Sequence, residues 1–80
     1  MTQTAPDKRY LRYIRTGRIF KSIRVEKGLD QAEVAVAMHI PRSGLAHVES
    51  GKRSIKLEEL FDFCEFIGVK PEDVVKRIMS

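Results

Sequence analysis

Residues Gln31 to Gly51 read QAEVAVAMHIPRSGLAHVESG, and the spacing of their apolar residues decides the architecture. Val34, Ala35 and Met38 have helical spacing, and so do Leu45 and Val48. Ile40 between them falls out of phase with both groups, so one straight helix cannot bury all of these residues. Two short amphipathic helices meeting at a tight corner near His39 to Pro41 can. Asp30 precedes the first helix and Glu33 follows three residues later, a capping box that satisfies unpaired backbone N–H groups reciprocally. Gly51 follows the second helix, where a left-handed C-terminal cap is expected.

Two helices so arranged form a helix-turn-helix, a motif that lays its second helix in a DNA major groove. Here that helix covers about residues 42–49. Gln31, Ala35, the apolar set Val34/Met38/Ile40/Leu45/Val48 and the Glu49-x-Gly51 ending resemble the Cro/phage-repressor (XRE-like) class of helix-turn-helix domains. The resemblance runs from about Gly17 to Val75. It takes in Arg24…Lys27-Gly28-Leu29, the basic loop Lys52-Arg53 and the closing Leu60…Ile67-Gly68-Val69. The fold it implies is all-α: a compact bundle of about five helices with a lambda-repressor-like DNA-binding domain over residues 17–80. Residues 1–16 are then an N-terminal tail and basic helical extension.

Composition agrees. Eighty residues make one small domain without room for a second core. Cys64 is the only cysteine, which excludes an internal disulfide and a cysteine-rich metal site and fits a reducing cytoplasm. No apolar run approaches the roughly 20 residues of a membrane span, and MTQTAPDKR lacks the apolar core of a signal peptide. The net charge of +4 is unevenly spread. Residues 1–28 carry eight Lys/Arg against Asp7 and Glu26, whereas residues 57–80 carry three against six Asp/Glu. A basic front favours an anionic partner and an acidic back leaves room for protein contacts.

Outward from the motif, residues 1–6 have no periodicity and read as a loose tail. KRYLRYIR from Lys8 sets Tyr10, Leu11 and Ile14 on one face. It reads as an extension of the first helix, a separate helical turn packed on the domain, or a basic arm reaching DNA; its apolar face is short for a membrane surface. Phe20 and Ile23 face the core, and Gly28 caps the helix they lie on. The resemblance implies that Arg24 pairs with Glu49, pinning this helix to the recognition helix. It also implies that Gln31 bonds a DNA phosphate or supports the recognition helix. The resemblance implies positive φ at the corner held by His39, where the family usually has glycine. Pro41 stands where the family usually has a Ser/Thr cap for the next helix.

On that helix, Arg42, Ser43, Gly44, Ala46 and His47 lie opposite Leu45 and Val48. Arg42 can fork to guanine or clamp a phosphate, Ser43 can bond either, and Ala46 can touch a thymine methyl. His47 reaches a base, a phosphate or only solvent. Gly44 weakens the helix by about 1 kcal/mol relative to alanine, which a close approach to DNA or simple tolerance explains. The resemblance implies that Lys52 and Arg53 run along the phosphate backbone, orienting the protein without naming a sequence. Leu57 to Ile67 forms a helix with Leu60, Phe63, Cys64 and Ile67 inward, and with Glu58, Glu59, Asp62 and Glu65 on a polar face turned away from DNA. Pro71 opens a last helix whose apolar face is Val74, Val75 and Ile78. Phe61 and Phe66 lie off the core stripe, and with Val74 and Ile78 they are the expected seam of a homodimer.

No glycine-rich phosphate loop, metal cluster or catalytic dyad is present in the sequence, and Cys64 has no base beside it. The expected protein is therefore not an enzyme and needs no cofactor or metal. Two functions remain. One is a dimeric, sequence-specific regulator, by default a repressor on a pseudo-palindromic operator of double-stranded DNA, of the kind a mobile element carries. The other is a helix-turn-helix antitoxin or interaction module whose main role is binding a partner protein.

Overall fold

Local capping chemistry sets where the helices stop and start. In the computed structural model, which describes residues 8–80, α1 spans Lys8–Glu26, α2 Gln31–Ala37, α3 Arg42–Glu49, α4 Leu57–Ile67 and α5 Pro71–Met79. The tail expected over residues 1–6 lies outside the described residues. Asp30 and Glu33 form the capping box: Glu33 N donates to Asp30 Oδ1 at 2.8 Å and Asp30 N donates to Glu33 Oε1 at 3.0 Å. At the corner, His39 has φ +60. Pro41 is the N-cap of α3 with an extended backbone and no side-chain cap bond, so the helix proper begins at Arg42.

KRYLRYIR is the first half of α1, joined without a break to the half that holds Phe20 and Ile23. Tyr10 and Leu11 are exposed, while Ile14 is partly covered. Close packing begins at Gly17. A Cβ there would collide with the carbonyl oxygen of Val48 and lie 2.7 Å from that of Glu49, so α1 crosses the end of α3 at backbone contact. Gly51 serves the same crossing from the other side: its φ is +80 and a Cβ would meet Ile14 Cγ1 at 2.8 Å. Alanine at either position forces backbone apart.

The core lies between α1, α2, α4 and α5, with Leu45 and Val48 of α3 closing it. Phe20 and Phe63 are fully buried and in ring contact, centroids 4.2 Å apart. Val34, Ala35, Met38, Leu60 and Cys64 fill in around them. Burial pushes the Cys64 thiol above its ordinary range, with the Glu72 charge adding to the effect.

Three expectations about the last helices need correction. Val74 and Ile78 are 1% and 8% exposed and belong to this core, so they are not available as a dimer seam. Arg15 Nη1 donates to the Ile78 carbonyl at 3.2 Å, tying the first half of α1 to the end of α5. Val75, expected on the inward face of α5, is 44% exposed. The third correction is Glu59. It is buried rather than part of a solvated acidic face, because Arg53 folds back onto it. No helix of the described residues is long and apolar enough to cross a membrane.

Candidate nucleic-acid interface

α3 turns Leu45, Val48 and Glu49 inward, which leaves Arg42, Ser43 and His47 exposed and Gly44 and Ala46 half-covered at one surface. All five residues expected to meet bases or backbone thus share the outer side of an eight-residue helix. Arg42 stands at its first position, where the side chain projects beyond the helix end. Gly44 packs beside Ile40 and Pro41: a Cβ there would meet their side chains at 3.7 Å, an ordinary contact. The space around it therefore does not require glycine.

A polar relay beneath this surface fixes α3 to its neighbours. Arg24 forks onto Glu49, Nε to Oε2 at 2.7 Å and Nη2 to Oε1 at 3.1 Å, while its Nη1 donates to the Leu29 carbonyl at 2.8 Å. The hydrogen bond to Glu49 raises the Arg24 pKa still further, so the arginine keeps its charge. Gln31 Nε2 donates to Glu49 Oε1 at 3.0 Å, and Gln31 Oε1 accepts a long bond of 3.4 Å from Arg42 Nε. One amide thereby reads the orientation of α3 at both ends. An amide nitrogen carries two hydrogens, so Gln31 retains one for an anion beside the start of α2. Arg42, held by Nε, keeps its terminal nitrogens for an outside partner.

In the loop after α3, Lys52 is exposed and its backbone N–H donates to the His47 carbonyl at 2.8 Å. Arg53 is placed differently. Its Nη1 and Nη2 donate to the two Glu59 carboxylate oxygens at 2.9 and 2.7 Å. That pairing raises the arginine's pKa and, as the largest influence, lowers the pKa of Glu59. Glu59 also accepts from the Lys56 backbone N–H at 3.0 Å, so it caps α4 while holding the loop. The structure thus brings Gln31, Arg42, Ser43, Ala46 and His47 together, adds Lys52 at the edge and turns Arg53 partly inward.

Lys21 was not singled out from sequence. It is exposed and lines a shallow cleft of about 210 Å³ with Gln31, Ala46, Glu49 and Ser50. The signal was available: Lys21 lies three residues before Arg24 and four after Gly17, on the face of α1 that crosses α3.

Comparison with known proteins agrees with this geometry. The family model described as Helix-turn-helix matches residues 20–74. Among solved structures, the clp gene regulator ClgR from Corynebacterium glutamicum is similar at 25% identity and a TM-score of 0.80, over 85% of this chain and 72% of that one. The restriction-modification controller protein C.AhdI from Aeromonas hydrophila is similar at 24% identity and a TM-score of 0.73, over 78% and 94%. The wild-type restriction-modification controller protein C.Esp1396I is similar at 22% identity and a TM-score of 0.70, over 86% and 96%. A comparison with curated proteins finds no match. The chain belongs to the helix-turn-helix family, in its XRE-like Cro/phage-repressor class of DNA-binding transcriptional regulators.

Proposed function

We propose that this regulator is sequence-specific, binds a pseudo-palindromic operator as a homodimer and represses by occupying it. The observation that carries the reading is the outer side of α3, where Arg42, Ser43, Ala46 and His47 share one surface over a helix locked by Arg24, Glu49 and Gln31. Arg42 forks to a guanine; Ser43, Ala46 and His47 read or touch neighbouring positions. Lys52, the spare N–H of Gln31 and Lys21 take phosphates, with a smaller share for Arg53 because Glu59 holds it. Phe66, 48% exposed, with Phe61 at 39%, remains as the pairing seam after Val74 and Ile78 are assigned to the core. The similarity to restriction-modification controllers supports placement on a mobile element or in a self-regulating operon.

The test is a titration of a selected operator and a scrambled duplex at several salt concentrations. Arg42→Ala is expected to cost about 1–3 kcal/mol per half-site and to relax preference at mirrored positions about ten base pairs apart. Lys52→Ala is expected to weaken both duplexes alike and to reduce the salt slope. Equal weakening of both duplexes by Arg42→Ala would make it a phosphate clamp, leaving selectivity to its neighbours or to DNA shape. A wild-type protein that does not distinguish the duplexes would overturn the reading in favour of a protein-binding module.

A further inference from the structure

The first half of α1 carries a dense run of cations that the contacts of α3 do not use. Lys8, Arg12 and Arg15 are exposed on it, and Arg15 is already engaged at the end of α5. Lys8 and Arg12 share a groove of about 200 Å³ with Leu11, Arg15, Ile78 and Met79, on the side toward α5. Arg12 borders a second recess as well, on the opposite side. That recess, about 150 Å³, is lined by Arg12, Tyr13, Thr16, Ser54 and Ile55. It lies where α1 leans against the loop that leaves the recognition helix, next to the contact of Ile14 with Gly51.

The second recess has a largely apolar wall bordered by groups that can meet an oxyanion. Arg12 lines it, and three of its other four lining residues carry hydroxyl groups, which can donate to phosphate oxygens without adding charge. Its position relative to the rest of the interface is bounded by the chain. Ser54 follows Lys52 by two residues, so their Cα atoms are at most about 7 Å apart. A phosphate held at Lys52, as proposed above, would put the next stretch of the strand within reach of the recess.

We infer that the recess between the first half of α1 and the loop after α3 seats a backbone phosphate of the DNA flanking each half-site, with Arg12 as its cation and the Tyr13, Thr16 and Ser54 hydroxyls as neutral donors. The inference rests on the operator-binding reading above and adds to it a contact outside the bases under α3. Its consequence is a preference for longer duplexes with no added sequence information, because phosphate contacts position the protein without specifying bases. The extension of α1 is then a gain in affinity that depends on flank length. Arg12 serves it without loss to the fold, since its side chain is exposed.

The experiment measures the salt dependence of binding for wild type, Arg12→Ala, Arg12→Lys and Lys70→Ala on the selected operator. The duplex is cut back stepwise from both ends. Lys70 is exposed at the start of α5 and controls for loss of one positive charge anywhere. On the long duplex, Arg12→Ala is expected to lower the slope of log K against log salt by about 0.9 per protomer. Arg12→Lys should retain most of that slope, and Lys70→Ala should leave it unchanged. On the duplex trimmed to the bases beneath α3, wild type and Arg12→Ala should coincide. Equal slopes for wild type and Arg12→Ala on long DNA would overturn the inference, as would a loss that persists at full size on the trimmed duplex. A loss matched by Lys70→Ala would overturn it too, by making the effect one of net charge. In each of these outcomes the wild type still distinguishes operator from scrambled DNA; failure of that discrimination is the separate failure of the operator reading. Thermal melts followed by circular dichroism, expected to be unchanged for Arg12→Ala, exclude unfolding as the cause.

Discussion

Two arginine–glutamate forks hold this molecule, and their shortest N–O distances are the same, 2.7 Å. Arg24–Glu49 has side chains 11% and 4% exposed and joins α1 to α3, with Gln31 of α2 attached. Arg53–Glu59 has side chains 29% and 10% exposed and joins a loop to the helix beginning just after it. If one partner of the deep pair is removed, the other is left as a charge that little water can reach. If Glu59 is removed, Arg53 can turn outward and be hydrated. Distance therefore does not rank the two; burial and the number of elements joined do.

The largest effect expected from this difference is on Glu49. Glu49→Ala should cost about 3 kcal/mol or more in urea denaturation, with Arg24→Ala close behind. The double variant should lose much less than the sum. Additive losses would show that the fork contributes no coupling. DNA affinity should fall in both single variants, because Gln31 loses its acceptor or α3 its tie to α1.

The shallow fork should be worth about 1 kcal/mol at most, and it offers a sharper signature in pH. Arg53 holds the Glu59 carboxyl below the ordinary glutamate range, so the folded state favours its ionised form. A depressed folded-state pKa gives stability that is complete above the ordinary value, about 4.3. It declines as pH falls through that value and is gone below the folded-state one. Denaturation between neutral and acid pH should show this decline in wild type and a shallower one in Glu59→Gln. An identical pH profile in both would mean the fork adds nothing. On DNA, Arg53→Ala should lower the salt slope less than Lys52→Ala does. The reverse result would mean that Arg53 leaves Glu59 for phosphate.

The smallest effect belongs to a third contact, between a histidine and an aspartate, that extends the series outward. His39 Nε2 lies 4.0 Å from Asp62 Oδ2, with side chains 80% and 30% exposed. At φ +60 a histidine carries a steric cost that glycine lacks. His39→Gly is expected to leave stability unchanged or raise it by less than 1 kcal/mol, offset in part by glycine's greater unfolded-state entropy. A loss above about 1 kcal/mol would show that the contact with Asp62 matters despite its exposure.

What the sequence disclosed follows the same division between local and distant causes. The Asp30/Glu33 box and the glycine at the end of α3 are consequences of neighbours within four residues and were readable from spacing, whereas positive φ at His39 was legible through family resemblance. Arg24–Glu49 is separated by 25 residues and was legible only through family resemblance. Arg53–Glu59 was missed because a spacing of six residues across a loop matches no helical or strand neighbour rule. Val74 and Ile78 were misassigned for another reason. An apolar stripe specifies that something must cover it, and periodicity is the same whether the cover is the first half of α1 or a second protomer. The exposure of Arg42, Ser43 and His47 was legible because Leu45 and Val48 fixed the inward side of α3, and the opposite side had to follow.

The crossing of α1 and α5 also dictates an order of events during synthesis. Arg15 leaves the ribosome 63 residues before Ile78, the carbonyl it bonds. At about 5–20 residues per second this is a wait of roughly 3–13 s. Arg24 can meet Glu49 after only 25 residues. Phe20 must wait longer for Phe63, and Arg15 longest of all for Ile78. Closure can therefore travel along the nascent chain, joining the recognition helix to α1 before the hydrophobic interior exists and sealing the far end of α1 last. A chain whose α3 has emerged from the ribosome but whose α5 has not would have α3 already tethered while its Leu11 side still lacks its covering helix. Chaperones that bind exposed apolar segments would find their target in that interval.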